Sequence, residues 1–335
     1  MKLLVTGGSG FIGSNFIKLW FTNHPSDSII NLDKMTYAAN PRNLTEFEGK
    51  SNYQFVKGDI LDEKIVDELV SQVDAIVHFA AESHVDRSID DPSLFVRTNV
   101  LGTYNLLMAA KKYNTRFHHI STDEVFGSVE LDSDRQFNES TPYDPSSPYS
   151  ASKASSDHLV RSFYKTFGLS VTISNCSNNY GPYQHPEKMI PRSITNLLNG
   201  EKIKVYGQGL NFRDWLHVED HCRAIELILL NGKIGETYCI GGLKKGTSNM
   251  ELVRLMLKLM GKDESSLEYV ADRPAHDNYA VNWDKINKEL GWEPKYDLES
   301  GLQQTIDWYT TNTSWWQETK AEAEEFYKKL NSLKK

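Results

Sequence analysis

Thr6-Gly7-Gly8-Ser9-Gly10-Phe11-Ile12-Gly13 stands between an apolar run, Lys2–Thr6, and an amphipathic one, Phe11–Thr22. It satisfies G-x-G-x-x-G through Gly8, Gly10 and Gly13, and G-x-x-G-x-x-G through Gly7, Gly10 and Gly13. Glycines in a strand-to-helix turn let the backbone close tightly and approach a pyrophosphate at the helix N-terminus, where unpaired N–H groups and the helix dipole favour an anion. Alone the pattern is weak, because glycine-rich turns are common. Context strengthens it: twenty residues past Gly13, Asp33 ends the next apolar run, Ser28–Asp33. A carboxylate there accepts hydrogen bonds from an adenosine ribose and repels a 2′-phosphate, which favours NAD over NADP. Lys34 beside it tempers that preference.

Farther along, Tyr53–Val56, Asp74–Ala80, Arg116–Ser121 and Ser170–Asn175 read as strands, and Pro92–Tyr113 and Tyr149–Phe167 as helices. Apolar strands with little alternation, separated by helices, predict an α/β fold: a Rossmann-type, doubly wound parallel sheet covered on both faces. After Gly181-Pro182 the regularity weakens. The expected organisation is an NAD-binding domain over 1–182 and a smaller, mixed C-terminal substrate lobe over 183–335, with helices at Ile190–Asn199 and Met250–Met260. The chain is expected to return to the sheet within 205–240, around Val205–Trp215 and Gly235–Ile240. The tail after Trp315 reads as a charged surface helix.

The 335 residues are 39% hydrophobic and 24% charged, an ordinary soluble balance with length enough for a large core. A net charge of −8 speaks against a nucleic-acid partner, which needs a clustered basic surface. No run reaches membrane-spanning length, and glycine interrupts MKLLVTGGSGFIG too early for a signal peptide. The expectation is no membrane partner and a cytoplasmic location. Cys176, Cys222 and Cys239 are odd in number and far apart, so they read as core filler.

Asp59 and Ile60 follow the third strand, placed to contact adenine, although Asp59 also suits a turn cap. Ala80, Ala81 and Ser83 close the fourth, small enough to let cofactor and substrate approach the backbone. Tyr149 and Lys153 form Tyr-x-x-x-Lys, which a helix places on one face. The ammonium favours a phenolate, so the tyrosine can act as a base near neutral pH, and the same lysine can bond a nicotinamide ribose. Thr122 offers a hydroxyl to orient a substrate alcohol. Asp123 and Glu124 follow it directly, at the carboxyl end of a strand, where open α/β sheets hold their ligands. A 4-keto sugar has an acidic C5–H and a C6 hydroxyl that leaves only when protonated. One carboxylate as base and one carboxylic acid as donor meet that need. His217-x-Glu219-x-His221 is not His-Glu-x-x-His, and adjacent His118 and His119 face opposite ways on a strand, so no metal is expected. Trp315-Trp316 reads as packing.

Together Thr6–Gly13, His78–Ser88 (HFAAESHVDRS), Thr122–Gly127 (TDEVFG), Tyr149–Lys153, Cys176–Lys188 (CSNNYGPYQHPEK) and Arg213–His221 (RDWLHVEDH) resemble the dTDP-glucose 4,6-dehydratases, members of the extended short-chain dehydrogenase/reductase superfamily. The likeness runs to Gly291-Trp292. It implies a dTDP-glucose substrate, with Tyr149 deprotonating the C4 hydroxyl as NAD accepts the C4 hydride. Glu124 then takes the C5 proton, Asp123 protonates the departing C6 hydroxyl, and the hydride returns to C6. It also implies Asn99 and Asn178 toward the cofactor, and Ser83, Thr122, Asn178, Glu187, Lys188, Arg213, Asn249, Arg273 and His276 toward the sugar nucleotide. Arg213 suits a diphosphate best, since guanidinium binds phosphate oxygens bidentately. Two positions depart from the family: Phe126 replaces a frequent Tyr, and Asn278 stands where relatives commonly carry Arg after His-Asp. By analogy the chain is expected to form a homodimer through a four-helix bundle built from the Pro92–Tyr113 helix and the Tyr149 helix. Rival readings are a 4,6-dehydratase for another nucleotide sugar, a 4-epimerase, which needs no acid pair, and a non-catalytic NAD-binding scaffold.

Overall fold

The computed structural model describes residues 1–130, 135–243, 245–271 and 277–333. Six strands alternate with helices through the first half. They are β1 (Lys2–Thr6), β2 (Ser28–Asp33), β3 (Tyr53–Lys57), β4 (Ala75–His78), β5 (Arg116–Thr122) and β6 (Val171–Cys176). The helices are α1 (Phe11–Asn23), α2 (Glu63–Val70), α3 (Val85–Asp90), α4 (Pro92–Phe95), α5 (Thr103–Tyr113) and α6 (Pro148–Phe167). Between α4 and α5 the chain stays helical but widens to a π winding over Val96–Gly102, so the expected Pro92–Tyr113 helix is one run with an overwide middle.

Alternate residues of each strand bury against different helices, which is why the sheet is covered on both faces. Leu4, Ile30, Ile76, Phe117 and Ile173 pack with residues of α2, α5 and α6. Their neighbours Leu3, Val5, Ala75 and Val77 pack against Phe16 and Trp20 of α1. The same second face takes Val218, Cys222 and Ile225 from α8 (Val218–Asn231). Complete burial of a side chain such as Phe117 contributes about 2–3 kcal/mol.

After β6 the chain adds β7 (Asn178–Tyr180), β8 (Ile203–Tyr206), β9 (Phe212–Arg213), β10 (Trp215–His217), β11 (Thr237–Ile240), β12 (Thr247–Ser248) and β13 (Leu267–Val270). Its further helices are α7 (Met189–Leu198), α9 (Asn249–Leu259), α10 (Asp284–Leu290), α11 (Leu298–Thr311) and α12 (Thr313–Leu333). Among the described residues only β11 rejoins the large sheet, whose seven strands run parallel in the order β11-β6-β5-β4-β1-β2-β3. The expected return at Val205–Trp215 does not occur. β8 pairs with β13, β9 with β12 and β10 with β7, each as a separate two-stranded sheet. Through Ile203, Val205 and Trp215, β8 and β10 instead brace a second core that includes Ile194, Leu252, Met256 and Tyr309. All three cysteines are buried and unbridged. No described helix is long and apolar enough to cross a membrane.

Candidate active site

A cleft of about 310 Å³ opens at the carboxyl ends of β1 and β4, where the strand order reverses. Gly7, Gly10, Phe11, Ile12 and Gly13 form one wall. Gly7 has φ +71°, and a Cβ there would lie 2.7 Å from the Ala80 backbone nitrogen; a Cβ on Gly13 would lie 2.4 Å from the Gly7 carbonyl oxygen. A side chain at either position would disrupt the turn, so bare backbone is what leaves the N-terminus of α1 open to an anion. Beside it Asp33 Oδ2 accepts from Ser9 N at 2.9 Å and Oδ1 from Met35 N at 2.8 Å. Each oxygen keeps a lone pair for a ribose hydroxyl. Lys34, which tempered the choice of NAD, is paired with Asp59 at 2.8 Å.

Ile60, Ala80, Ala81 and Ser83 also line the cleft. Asn178 does too, and its Oδ1 is buried without a hydrogen-bond partner among the described residues. An anion cradle, a ribose acceptor and an unsatisfied amide fit a dinucleotide. Asn99 is different. Its side chain bonds Glu82 N, Glu82 O and Ser152 Oγ, so it holds the chain after β4 from behind the cleft wall.

Thr122 ends β5, and its Oγ1 accepts from Glu124 N at 3.3 Å, starting the short 3₁₀ turn Asp123–Phe126. Thr122 and Glu124 line the cleft, whereas Asp123 is set back and wholly buried. Asp123 Oδ1 accepts from Thr122 Oγ1 at 3.3 Å, and Oδ2 makes no hydrogen bond among the described residues. Burial, then the charges of Glu124 and Asp214, raise its pKa well above the carboxylate range against Arg213 and the Thr122 bond.

Ser147 and Ser150 cap α6 reciprocally, with Pro148 in its first turn, so the helix begins where Tyr149 must enter the cleft. Tyr149 and Lys153 both line it. Lys153 Nζ donates to Ile120 O at 2.8 Å and lies 3.5 Å from His119 Nε2. Burial lowers the lysine to about 8, with Asp157 opposing. Burial, then the Glu124 charge, raise the Tyr149 phenol above its usual value, so its use as a base depends on the Lys153 ammonium four residues on.

Loss of the Lys153 ammonium as pH rises through about 8 should give the turnover rate a falling alkaline limb. The stability term has the opposite sign. The unfolded chain, with its lysine near 10.5, binds more protons between those values, so this group's contribution to stability rises with pH. Activity should therefore fall without unfolding. A pH–rate profile that stays flat while circular dichroism also holds would remove the ammonium from the chemistry.

Elsewhere in the cleft wall Glu187 is buried, 3.4 Å from Arg87 and 4.0 Å from His84. The Arg87 guanidinium lies 3.7 Å from the Tyr37 ring centre, and burial followed by the Glu187 charge raises that phenol. Lys188 Nζ donates to Ser83 O at 3.1 Å. Glu187 and Lys188 line the cleft; Arg213 and Asn249 lie outside its wall. Arg213 stacks 4.7 Å from the Tyr279 ring centre on β9, which pairs with β12 immediately before buried Asn249. Asn278, in place of the family's Arg, bonds Phe212 N and Val129 O and ties β9 to the segment after the acid pair. Arg273 and His276 lie outside the described residues.

Sequence reasoning missed Tyr37 and Arg87, and the carboxylate behind the lysine. Asp157 accepts from Tyr143 Oη at 2.7 Å, Ser121 Oγ at 2.9 Å and Asn175 Nδ2 at 3.2 Å, while its Oδ1 sits 3.2 Å from His119 Nε2. Spacing could have found it, since Tyr149, Lys153 and Asp157 recur every four residues on one helix face. His118 instead reaches Thr172. His217 caps α8, and His221 bonds Asn179.

Sheet order, glycine turn and the Tyr149–Lys153 pair define an extended short-chain dehydrogenase/reductase. The family model for GDP-mannose 4,6 dehydratase matches residues 4–305. The dTDP-glucose 4,6-dehydratase of Mycolicibacterium smegmatis is 50% identical over 329 residues, 98% of either chain. The crystal structure of the Streptomyces venezuelae dTDP-glucose 4,6-dehydratase with NAD bound is similar at TM-score 0.91 and 48% identity, covering 95% of this chain and 100% of that one. A UDP-glucose 4-epimerase from Thermotoga maritima shares the fold at TM-score 0.86 and 28% identity, covering 93% and 100%. The chain belongs to the dTDP-glucose 4,6-dehydratase family.

Proposed function

We propose that this protein binds NAD and converts dTDP-glucose into dTDP-4-keto-6-deoxyglucose and water. The observation that carries the reading is the acid pair after β5: Asp123 wholly buried, which favours its neutral form, and Glu124 in the cleft wall, opposite roles set by opposite surroundings. The glycine turn would hold the pyrophosphate, Asp33 the adenosine ribose and Lys153 the nicotinamide ribose. NAD, when bound, supplies the oxidation at C4 that makes C5–H acidic and the reduction that completes the product.

The remaining steps belong to the chain. Tyr149, as the phenolate that the Lys153 ammonium favours, takes the C4 hydroxyl proton while Thr122 orients that hydroxyl. Glu124 removes the C5 proton, and Asp123 donates its own to the C6 hydroxyl, which departs as water. Glu124 then returns its proton to C5. One proton gained at Tyr149 and one lost at Asp123 cancel over the cycle, so no net acid is released. Ser83, Asn178, Glu187, Lys188, Arg213 and Asn249 are assigned to the sugar nucleotide on family position.

Purified protein incubated with NAD and dTDP-glucose should yield a product lighter by one water, with no net change in cofactor redox state. An isomer of unchanged mass would mean a 4-epimerase. No reaction with dTDP-glucose but water loss from another nucleotide sugar would reassign the substrate.

A homodimer is part of the proposal. Leu101, Tyr104 and Met108 are 51%, 45% and 41% exposed at helical spacing on the π segment and α5, an apolar stripe that a second copy would cover. Met108→Asp should convert a dimer to a monomer in size-exclusion light scattering; an unchanged mass would place the interface elsewhere. Buried, unbridged cysteines suit the reducing cytoplasm, where we place the protein.

A further inference from the structure

The end of the substrate lobe reaches back to the glycine-rich turn through two buried side chains. Trp315, in the first turn of α12, donates from Nε1 to Asn43 Oδ1 at 2.9 Å. Asn43 donates in turn from Nδ2 to Ser9 O at 3.0 Å. Ser9 lies inside the turn, and its own N–H donates to Asp33 Oδ2 at 2.9 Å. Trp315 and Asn43 are 8% and 1% exposed, so water cannot substitute readily for either link. The same indole packs on the other lobe, with ring centres 4.9 Å from Trp308 and 5.9 Å from Tyr183, the residue before Gln184 in the cleft wall.

Helix α12 is itself tied to both lobes. Arg42 bonds Ser314 O at 2.7 Å and Glu318 at 2.8 Å on the cofactor side. Arg192 holds Glu324 through two bonds of 2.8 and 2.9 Å, and Lys320 bonds Asn196, on the substrate side. A donor chain leading from such a strap to a pyrophosphate cradle does more than fill space. It anchors the Ser9 carbonyl, which also accepts from Asn40 N at 3.1 Å, and with it the peptide that leads through Gly10 into the open N-terminus of α1.

We propose that Trp315 and Asn43 are positioning residues for the dinucleotide, transmitting the seating of α12 to Ser9 and so holding the glycine-rich turn in its binding shape. The inference rests on the reading that NAD binds this cleft. Neither residue touches the cofactor; both act through Ser9.

The test uses the full chain and NAD itself. Trp315→Phe keeps an aromatic ring against Trp308 and Tyr183 but removes the donor, and Asn43→Ser breaks the chain at its middle. Each should raise the NAD dissociation constant by about tenfold, the effect of one lost buried hydrogen bond. Each should also speed hydrogen exchange at the Ser9 and Gly10 amides. The double variant should bind NAD no more weakly than Asn43→Ser alone, because the path is already cut. A lowered melting temperature with an unchanged NAD dissociation constant would reduce Trp315 to packing and overturn the inference; so would additive losses. Should Trp315→Phe fail to fold, Asn43→Ser decides alone. A parent protein that binds no NAD would overturn the functional reading, whereas a parent that binds it and variants that match it would overturn only this one.

Discussion

Glu124→Gln should lower formation of the dehydrated product by about 10²- to 10⁴-fold, the usual loss when a general base is removed. Glutamine keeps the shape of the side chain at the cleft wall, and the bond from residue 124 N to Thr122 Oγ1 is a backbone bond that survives the change. NAD affinity should hold, because the glycine turn and Asp33 are untouched. The diagnostic is the C5 hydrogen. In deuterated water the parent should place deuterium at C5, and the variant should not exchange that position even in recovered substrate. Product at the parent rate would mean that the base is another group.

Asp123→Asn should be nearly as damaging and should fail at a different step. Because burial favours the neutral form of Asp123, an amide of the same size adds no buried charge, and the fold should survive. What disappears is the proton for the departing hydroxyl. Water loss should slow by about 10²-fold or more. Glu124 would still remove and return the C5 proton, so substrate recovered from deuterated water should carry deuterium at C5. The two variants thus separate base from acid by one mass measurement: label in unreacted sugar for Asp123→Asn, none for Glu124→Gln. Equal labelling in both would undo the division of roles between the neighbouring acids.

What the sequence disclosed follows from the length over which a signal repeats. The six N-terminal strands are unbroken apolar runs and the helices from Phe11 and Pro148 longer amphipathic ones, and their ends fall within a few residues of where the pattern stops. The glycine turn, Thr-Asp-Glu and Tyr-x-x-x-Lys are local too, so the centre of the site was legible. Two- and three-residue strands such as β9 and β10 have no period to read, so the sequence at Val205–Trp215 reads as a return to the large sheet that the fold does not make. The pairing of Arg87 with Glu187 spans one hundred residues, and no local pattern marks it. Burial was equally invisible. The sequence showed an ammonium four residues from a phenol, but not the dry enclosure that raises Tyr149 and lowers Lys153.

The route of the chain after β6 bears on how the molecule could be taken apart. It leaves the large sheet, builds much of the substrate lobe, lays α8 across α1, and only then returns as β11 beside β6. A fragment cut after Pro182 would uncover the side of α1 that Val218, Cys222, Ile225 and Leu229 protect, and would leave β6 as a raw edge. The cofactor half therefore has no contiguous gene segment of its own. Domain swaps aimed at changing sugar preference must graft loops within the intervening stretch, because excising the lobe as a block removes part of the half meant to be kept.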